Sequence, residues 1–165
     1  MKTRTKFILH VEDDENDVML MQHALEEASV ETPVHVVGDG LQAVDYFKGT
    51  ADFSDRERFP FPDLVLLDLK LPFVPGLEVL KWIREDARLP TPVIVLTSSE
   101  NETDIAAAYR LFANAYIVKP NQISKLVEVA KAIKDFWLTL NSPPPQTSSS
   151  FTSLPEATRR KIIRR

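Results

Sequence analysis

Short apolar runs alternate along the chain with segments in which apolar residues recur every three or four positions. The runs are typical of buried strands and the periodic segments of amphipathic helices. Five predicted strands, at residues 6–11, 34–37, 63–68, 93–96 and within 115–120, alternate with five predicted helices. This order predicts an α/β fold in which a doubly wound parallel sheet carries helices on both faces.

The last predicted helix, at residues 122–140, carries more apolar residues than one face requires. One stripe faces the sheet and contains Ile123, Leu126, Ala130, Ile133 and Trp137. Three further apolar residues, Val129, Phe136 and Leu140, lie elsewhere on the helical wheel. They indicate either a broad core stripe or a surface that contacts a partner.

Composition narrows the function classes. The chain has 165 residues, 24 of them acidic and 20 basic, for a formal net charge of −4, which disfavours nucleic acid as the main partner. It contains no cysteine, so disulfides and thiolate metal sites are excluded. No apolar run approaches the roughly 20 residues of a membrane span or the length of a secretory signal. We therefore expect a cytoplasmic protein that does not associate with membranes.

Polar residues follow the predicted strands at the points where functional groups gather in such sheets. They are Glu12, Asp13 and Asp14 after the first strand, Asp68 after the third, Thr97 after the fourth and Lys119 after the fifth. Crowded carboxylates repel each other unless a cation intervenes, and ligands that are all oxygen suit Mg²⁺. A metal, an ammonium and a hydroxyl around one carboxylate form a seat for a phosphoryl group, with Asp68 as the nucleophile.

Four motifs together resemble the response-regulator receiver domains of two-component systems. They are VEDD after the first strand, LLDLKLP…PG around Asp68, LTSS after the fourth strand and AYIVKP at the fifth, and the resemblance spans residues 7–138. It implies a flavodoxin-like sheet of strand order 2-1-3-4-5. It also implies a phosphoacceptor that is not an enzyme and receives its phosphoryl group from a sensor histidine kinase.

The resemblance also assigns roles by position. It makes Asp68 the phosphoacceptor, Asp13 a direct Mg²⁺ ligand and Glu12 a ligand through water. The remaining implied roles are a metal-ligating backbone carbonyl at Lys70, a hydroxyl that follows the phosphoryl group at Thr97, a conserved-type lysine at Lys119 with a cis bond to Pro120, and an aromatic switch at Tyr116.

Two positions depart from the family pattern. Pro75 stands where an acidic residue is usual before Gly76. Phe112 stands where a glycine usually ends the fourth helix, so we expect Asn114 to be able to take the left-handed conformation instead.

Several polar residues have structural interpretations. We expect Asp14 to cap the first helix, Ser98 and Ser99 to cap the fourth, and His10 to be a satisfied core histidine.

The change in composition after the last helix predicts two parts. Residues 1–140 form a receiver domain, and residues 141–165 form a Pro/Ser-rich arm with a short basic helix capped by Ser153. We expect no output domain, and the chain resembles the single-domain regulators that serve bacterial phytochrome kinases. We expect signalling through helix four, strand five and helix five, and a homodimer on that face. The expected apolar contacts also involve Phe151, Leu154, Ile162 and Ile163 of the arm.

Two other function classes stay open. One is a small-molecule phosphatase or phosphotransferase with an aspartyl-phosphate intermediate, although Lys70 stands where haloacid-dehalogenase-type enzymes carry a second aspartate. The other is an interaction module with an inactive site, against which the complete set of Asp68, Thr97 and Lys119 argues.

Overall fold

The computed structural model describes residues 4–145. Its five strands are β1 Ile8–Val11, β2 Val34–Val37, β3 Leu64–Leu67, β4 Val93–Thr97 and β5 Ala115–Val118. Its α-helices are α1 Glu15–Glu27, α2 Gly40–Lys48, α3 Gly76–Lys81, α4 Glu102–Arg110 and α5 Ile123–Ala132. Two of the helices continue in wider π-type turns, α3 through Trp82–Asp86 and α5 through Ile133–Leu140.

The strands form one parallel sheet in the order β2-β1-β3-β4-β5, which confirms the predicted topology. In register, Ile8 of β1 lies beside Val34 of β2 and Leu64 of β3, and Ile94 of β4 lies beside Ala115 of β5. The central strands β1, β3 and β4 are completely buried, which explains why their sequences are nearly continuous apolar runs.

Two hydrophobic cores cover the two faces of the sheet. Helices α2, α3 and α4 pack on one face, where Phe47, Leu80 and Ala108 are buried. Helices α1 and α5 pack together on the other face, where Met21 and Ala130 are buried. The helices thereby hold the strands in a single register and fix the loops at the carboxyl edge.

The long segment between α2 and β3 is anchored by Arg56. Its guanidinium donates to the carbonyls of Tyr46 and Phe47 at 2.7 and 2.6 Å, near the end of α2. Phe53 and Phe59 pack against Tyr46, with ring centroids 5.2 and 6.1 Å away. These contacts explain how a polar segment of this length stays on the domain.

The end of α4 differs from the expectation. Phe112 itself takes the left-handed conformation, with φ of 60°. Asn114 instead accepts hydrogen bonds from the Val93 N–H and from Arg84, at 2.8 and 2.9 Å. The asparagine is engaged at the start of β4, so the turn is made by a residue whose Cβ strains it.

The prediction for α5 needs a smaller correction. Leu126, Ala130 and Ile133 are buried as expected, but Ile123 is exposed. Val129 packs against the core beside α1, whereas Phe136 and Leu140 are exposed. The predicted contacts of Phe151, Leu154, Ile162 and Ile163, and the helix capped by Ser153, lie outside the described residues.

Candidate phosphorylation site

Backbone hydrogen bonds carry the sheet one residue beyond three strands and so place three site residues. The Glu12 N–H donates to Val37, the Asp68 N–H to Val11 and the Lys119 N–H to Thr97, at 3.0, 3.0 and 2.8 Å. The three side chains therefore start from fixed backbone positions at the same edge of the sheet.

The Lys119 ammonium lies at the centre of the site. Its Nζ donates to Glu12 Oε2 at 2.5 Å, to Asp17 Oδ2 at 2.8 Å and to Asp68 Oδ2 at 3.0 Å. An ammonium has three N–H donors, so these three carboxylates match its donor capacity. Asp68, 6% exposed, is thus compensated at the end of its strand.

Glu12, Asp13 and Asp68 bring carboxylate oxygens within 4.8 Å of one another. Glu12 and Asp68 are buried, whereas Asp13 is exposed. A set of oxygen donors with one side open to water fits Mg²⁺, which keeps several waters and recruits phosphate oxygens. The three predicted carboxylates therefore do come together as a candidate magnesium site.

The pKa values of Glu12 and Asp68 are shifted in opposite directions, the first by burial and the second by hydrogen bonds and the Lys119 charge. Burial raises the pKa of Glu12 to about 7, although its hydrogen bonds from Lys119 and Asp14 act against this shift. Burial would also raise the pKa of Asp68, but hydrogen bonds from Thr97 and Lys119 and attraction to Lys119 bring it below the usual value. Asp68 is therefore ionised at neutral pH, as a nucleophile must be.

The loop after β4 connects Thr97 to Tyr116. Thr97 is fully buried, and its Oγ1 accepts from the Ser99 N–H at 3.4 Å. The Tyr116 hydroxyl donates to the Ser99 carbonyl at 2.9 Å, and the Ser99 hydroxyl donates to Asp104 at 2.5 Å. A movement of Thr97 toward Asp68 would therefore displace a segment that holds the Tyr116 ring.

Gly76 permits the close approach of α3 to the candidate acceptor. A Cβ at this position would lie 2.1 Å from the Asp68 carbonyl oxygen, and the Gly76 N–H donates to the Leu69 carbonyl at 2.9 Å. The Pro75 to Gly76 turn thus brings the helix against the Asp68 backbone, and the departure at Pro75 leaves the site intact.

The structure corrects three expectations. The described residues contain no cis peptide bond, so the predicted cis bond before Pro120 is wrong, and the bond has the intrinsically favoured trans form. Neither Ser98 nor Ser99 caps α4, whose N-cap is Asn101, because the Ser99 hydroxyl binds Asp104 instead. His10 is buried, but its Nδ1 has no hydrogen-bond partner among the described residues, so it is not satisfied.

Two other placements are clear. Asp14 caps α1, as predicted, and accepts from the N–H groups of Asn16 and Asp17. Lys70 is exposed, and its N–H lies 3.3 Å from Asp68 Oδ1. The role of its carbonyl as a metal ligand stays a prediction.

Asp17 is not among the site residues predicted from the sequence. It lies in the first turn of α1, whereas Asp13 precedes the N-cap Asp14 and is not helical. An acidic residue in the first turn of a helix is ordinarily explained by the helix dipole, so the sequence carried no signal for its contact with Lys119, which depends on how α1 packs beside α5.

None of the helices in residues 4–145 has both the length and the apolar character needed to span a membrane.

Comparison with known proteins points to one family. Residues 8–131 match the model described as the response regulator receiver domain. Response regulator Rcp1 of Synechocystis sp. is 37% identical over 134 residues, which cover 81% of this chain and 89% of Rcp1. The solved Mn²⁺-bound form of Rcp1 aligns with a TM-score of 0.76 at 36% identity and covers 85% of this chain and 99% of its own.

Two further solved structures are similar. The phosphorylated cyanobacterial phytochrome response regulator RcpA has a TM-score of 0.78 and 39% identity, and the match covers 86% of this chain and all of RcpA. The bacteriophytochrome response regulator RtBRR has a TM-score of 0.69 and 40% identity, and that match covers 97% of this chain and 96% of RtBRR.

Proposed function

Because this chain belongs to the response regulator receiver domain family, a phosphoacceptor family of two-component signalling, we propose that Asp68 is its phosphoacceptor. The observation that supports this assignment most is the position of Asp68. Its carboxylate is shared between the Lys119 ammonium and the acidic cluster that fits Mg²⁺. The Thr97 hydroxyl also helps to lower the pKa of this carboxylate.

In the proposed reaction, an Asp68 carboxylate oxygen forms a bond to phosphorus while the bond between phosphorus and the phosphohistidine nitrogen of a sensor kinase breaks. Mg²⁺ held by Glu12 and Asp13 would supply positive charge beside the phosphoryl oxygens. Lys119 adds an ammonium on the same side, and Thr97 supplies a hydroxyl. Positioning and charge neutralisation of this kind are the main needs of phosphoryl transfer.

The same contacts suggest how phosphorylation changes the surface. A phosphoryl group on Asp68 gives Thr97 a stronger hydrogen-bond acceptor than the carboxylate it now faces. Movement of Thr97 would also move the adjoining loop at Ser99, whose carbonyl accepts a hydrogen bond from the Tyr116 hydroxyl. The signal would therefore reach the face formed by α4, β5 and α5, with Tyr116 as the switch residue.

Incubation with acetyl phosphate and Mg²⁺, followed by intact-mass spectrometry, tests the assignment. One phosphoryl adduct is expected on the wild-type chain and none on Asp68→Asn, while the exposed Asp86→Asn control is labelled normally. Labelling of Asp68→Asn at the wild-type level would refute the acceptor assignment. Rapid multiple turnover without an adduct would favour the phosphatase alternative.

We also propose that the partner kinase is a bacterial phytochrome. The support is the likeness to RcpA and RtBRR, which are described as phytochrome and bacteriophytochrome response regulators. The match to RtBRR extends over nearly the whole chain, including at least part of the proposed arm at residues 141–165. Phosphotransfer from a panel of autophosphorylated kinases tests this: a phytochrome kinase should label the chain fastest, and equal rates from unrelated kinases would contradict the proposal.

A homodimer on the face of α4, β5 and α5 is the second proposed partnership. All four β5 residues are partly exposed at the edge of the sheet, beside exposed apolar side chains on both flanking helices. These side chains are Tyr109, Phe136 and Leu140. The first residues of the arm are placed elsewhere, since prolines 143–145 line a surface pocket together with Phe61 and Leu89 of the same chain.

Sedimentation of the full chain tests the dimer. Phe136, 51% exposed, and Leu41 on α2, 52% exposed, are matched in accessibility but lie on different surfaces. Phe136→Glu should shift the wild-type dimer toward monomer, whereas Leu41→Glu should leave it unchanged. A wild-type chain that sediments as a monomer at tens of micromolar would refute the proposal, as would a Phe136→Glu chain that remains dimeric.

A further inference from the structure

One of the three carboxylates that bind the Lys119 ammonium does not belong to the candidate magnesium site. Asp17, in the first turn of α1, lies 2.8 Å from Lys119 Nζ, whereas Asp68 lies 3.0 Å away. Asp17 is not among the carboxylates that could share a metal ion. Its contact with the lysine therefore needs an explanation other than metal binding.

The three partners of Lys119 differ sharply in exposure. The side chains of Glu12 and Asp68 are 1% and 8% exposed, and that of Asp17 is 38% exposed. A carboxylate that Lys119 releases loses a hydrogen bond, and this loss costs free energy unless a water molecule replaces the ammonium as donor. That cost is lowest for Asp17, which water already reaches.

The space beside these groups also permits an exchange. A cavity of about 40 Å³ is lined by Asp17, Lys119, His10 and Met21, among others. This is enough room for at least one water molecule between polar groups. Water can therefore hydrate the Asp17 carboxylate at the position that the ammonium leaves.

We propose that Asp17 is a positioning residue that competes with the phosphoryl group for Lys119, so that it disfavours the phosphorylated state. The phosphoryl oxygens on Asp68 would lie beyond the carboxylate oxygen that Lys119 now contacts, so the ammonium must shift to follow them. The contact that this shift weakens is the one to Asp17, because Asp17 is the most exposed of the three partners and its carboxylate is the most readily rehydrated. The inference rests on the proposed role of Asp68.

The test compares full-length variants by their affinity for beryllofluoride, a phosphoryl analogue, at saturating Mg²⁺ and fixed ionic strength. Asp17→Asn should tighten beryllofluoride binding about two- to fivefold, the range for loss of a partly exposed ion pair. Glu15→Gln is the matched control, since Glu15 lies in the same helical turn and the substitution removes the same charge. It should change the affinity by less than half as much.

A double-mutant cycle separates this role from a structural one. In a Lys119→Ala background, the excess effect of Asp17→Asn over Glu15→Gln should vanish, because the competition acts through the lysine. An excess that persists in that background would overturn the proposal. So would an Asp17→Asn variant that binds beryllofluoride no better than Glu15→Gln, or that binds both Mg²⁺ and beryllofluoride more weakly.

The proposed function is tested separately in the same assay. If the wild-type chain binds beryllofluoride and Asp68→Asn does not, the acceptor assignment stands and the Asp17 result bears on the inference alone. If Asp68→Asn binds as well as the wild type, the acceptor assignment fails first.

Discussion

Two partly buried cations organise opposite edges of the sheet in different ways. At the carboxyl edge, Lys119 binds three carboxylates. At the amino edge, Arg84 donates to the carbonyls of Phe112, Leu89 and Thr91 and to the Asn114 side chain, at 2.7–3.1 Å. One cation is surrounded by negative charge, and the other by neutral groups.

The difference matters for function. The fork of an arginine fixes several acceptors in one geometry, so Arg84 holds the ends of α3 and α4 against the start of β4. The ammonium of a lysine is a compact charge on a flexible stem. Because its partners are all anionic, Lys119 can trade one of them for another anion. The amino edge is built to stay fixed and the carboxyl edge to respond.

The largest effect is expected when the lysine is removed. Lys119→Ala leaves buried carboxylates without their ammonium, and it should lower the free energy of unfolding in Mg²⁺-free buffer by about 3 kcal/mol. Added Mg²⁺ should restore part of this loss, since it neutralises the same cluster. Urea unfolding with and without Mg²⁺ measures both effects. Lys125→Ala, at an exposed ion pair, is the control and should cost little.

Arg84→Lys should destabilise the amino edge of the sheet. A lysine cannot reproduce the fork that binds four acceptors, so the free energy of unfolding should fall by about 2 kcal/mol. Phosphorylation by acetyl phosphate should be unchanged, because Arg84 is remote from Asp68. Arg110→Lys, an exposed arginine in the last turn of α4, is the matched control. Loss of phosphorylation in Arg84→Lys at a temperature where it is folded would contradict the division between the two edges.

The pH dependence of stability should report on Glu12 at the carboxyl edge. Because burial raises the pKa of Glu12 from 4.5 to about 7, the folded state holds this proton more tightly than the unfolded state. The contribution of Glu12 to stability is therefore fully present below pH 4.5 and is lost as pH rises through 7.

Urea unfolding of Glu12→Gln across this range in Mg²⁺-free buffer gives the check. The variant should lose less stability than the wild type between pH 5 and pH 8, whereas the exposed Glu27→Gln control should follow the wild type. Parallel pH profiles for Glu12→Gln and the wild type would mean that Glu12 does not titrate in this window.

The smallest effect concerns the strained turn that Arg84 holds. Phe112 has φ of 60° and its ring is 73% exposed, so glycine should relieve strain without loss of packing. Phe112→Gly should raise the free energy of unfolding by up to about 1 kcal/mol, as measured by urea unfolding. Phe112→Ala removes the ring but keeps the Cβ, and should give no gain. An equal gain from alanine would trace the effect to the ring.

The two edges also differ in how far the sequence predicts them. The clustering of Glu12, Asp13 and Asp68 follows from the rule that parallel strands end at one edge, together with the apolar runs that define those strands. Asp17 could not be assigned in this way, because its contact with Lys119 joins residues 102 positions apart through helix packing. No sequence motif marks the roles of Arg84 and Phe112. Both depend on tertiary packing, which decides the carbonyls that Arg84 can reach and the turn that Phe112 must make.

The assignment of Asp68 as the phosphoacceptor can be tested by chemical trapping of the acyl phosphate. Borohydride reduces an acyl phosphate to an alcohol, so it converts a phosphorylated aspartate to homoserine, and peptide mass spectrometry then locates the modified residue. After phosphorylation with acetyl phosphate and Mg²⁺, we expect homoserine at position 68 and at no other aspartate, and none when Mg²⁺ is removed. Homoserine at Asp13 or Asp17 with position 68 unmodified would refute the assignment of Asp68.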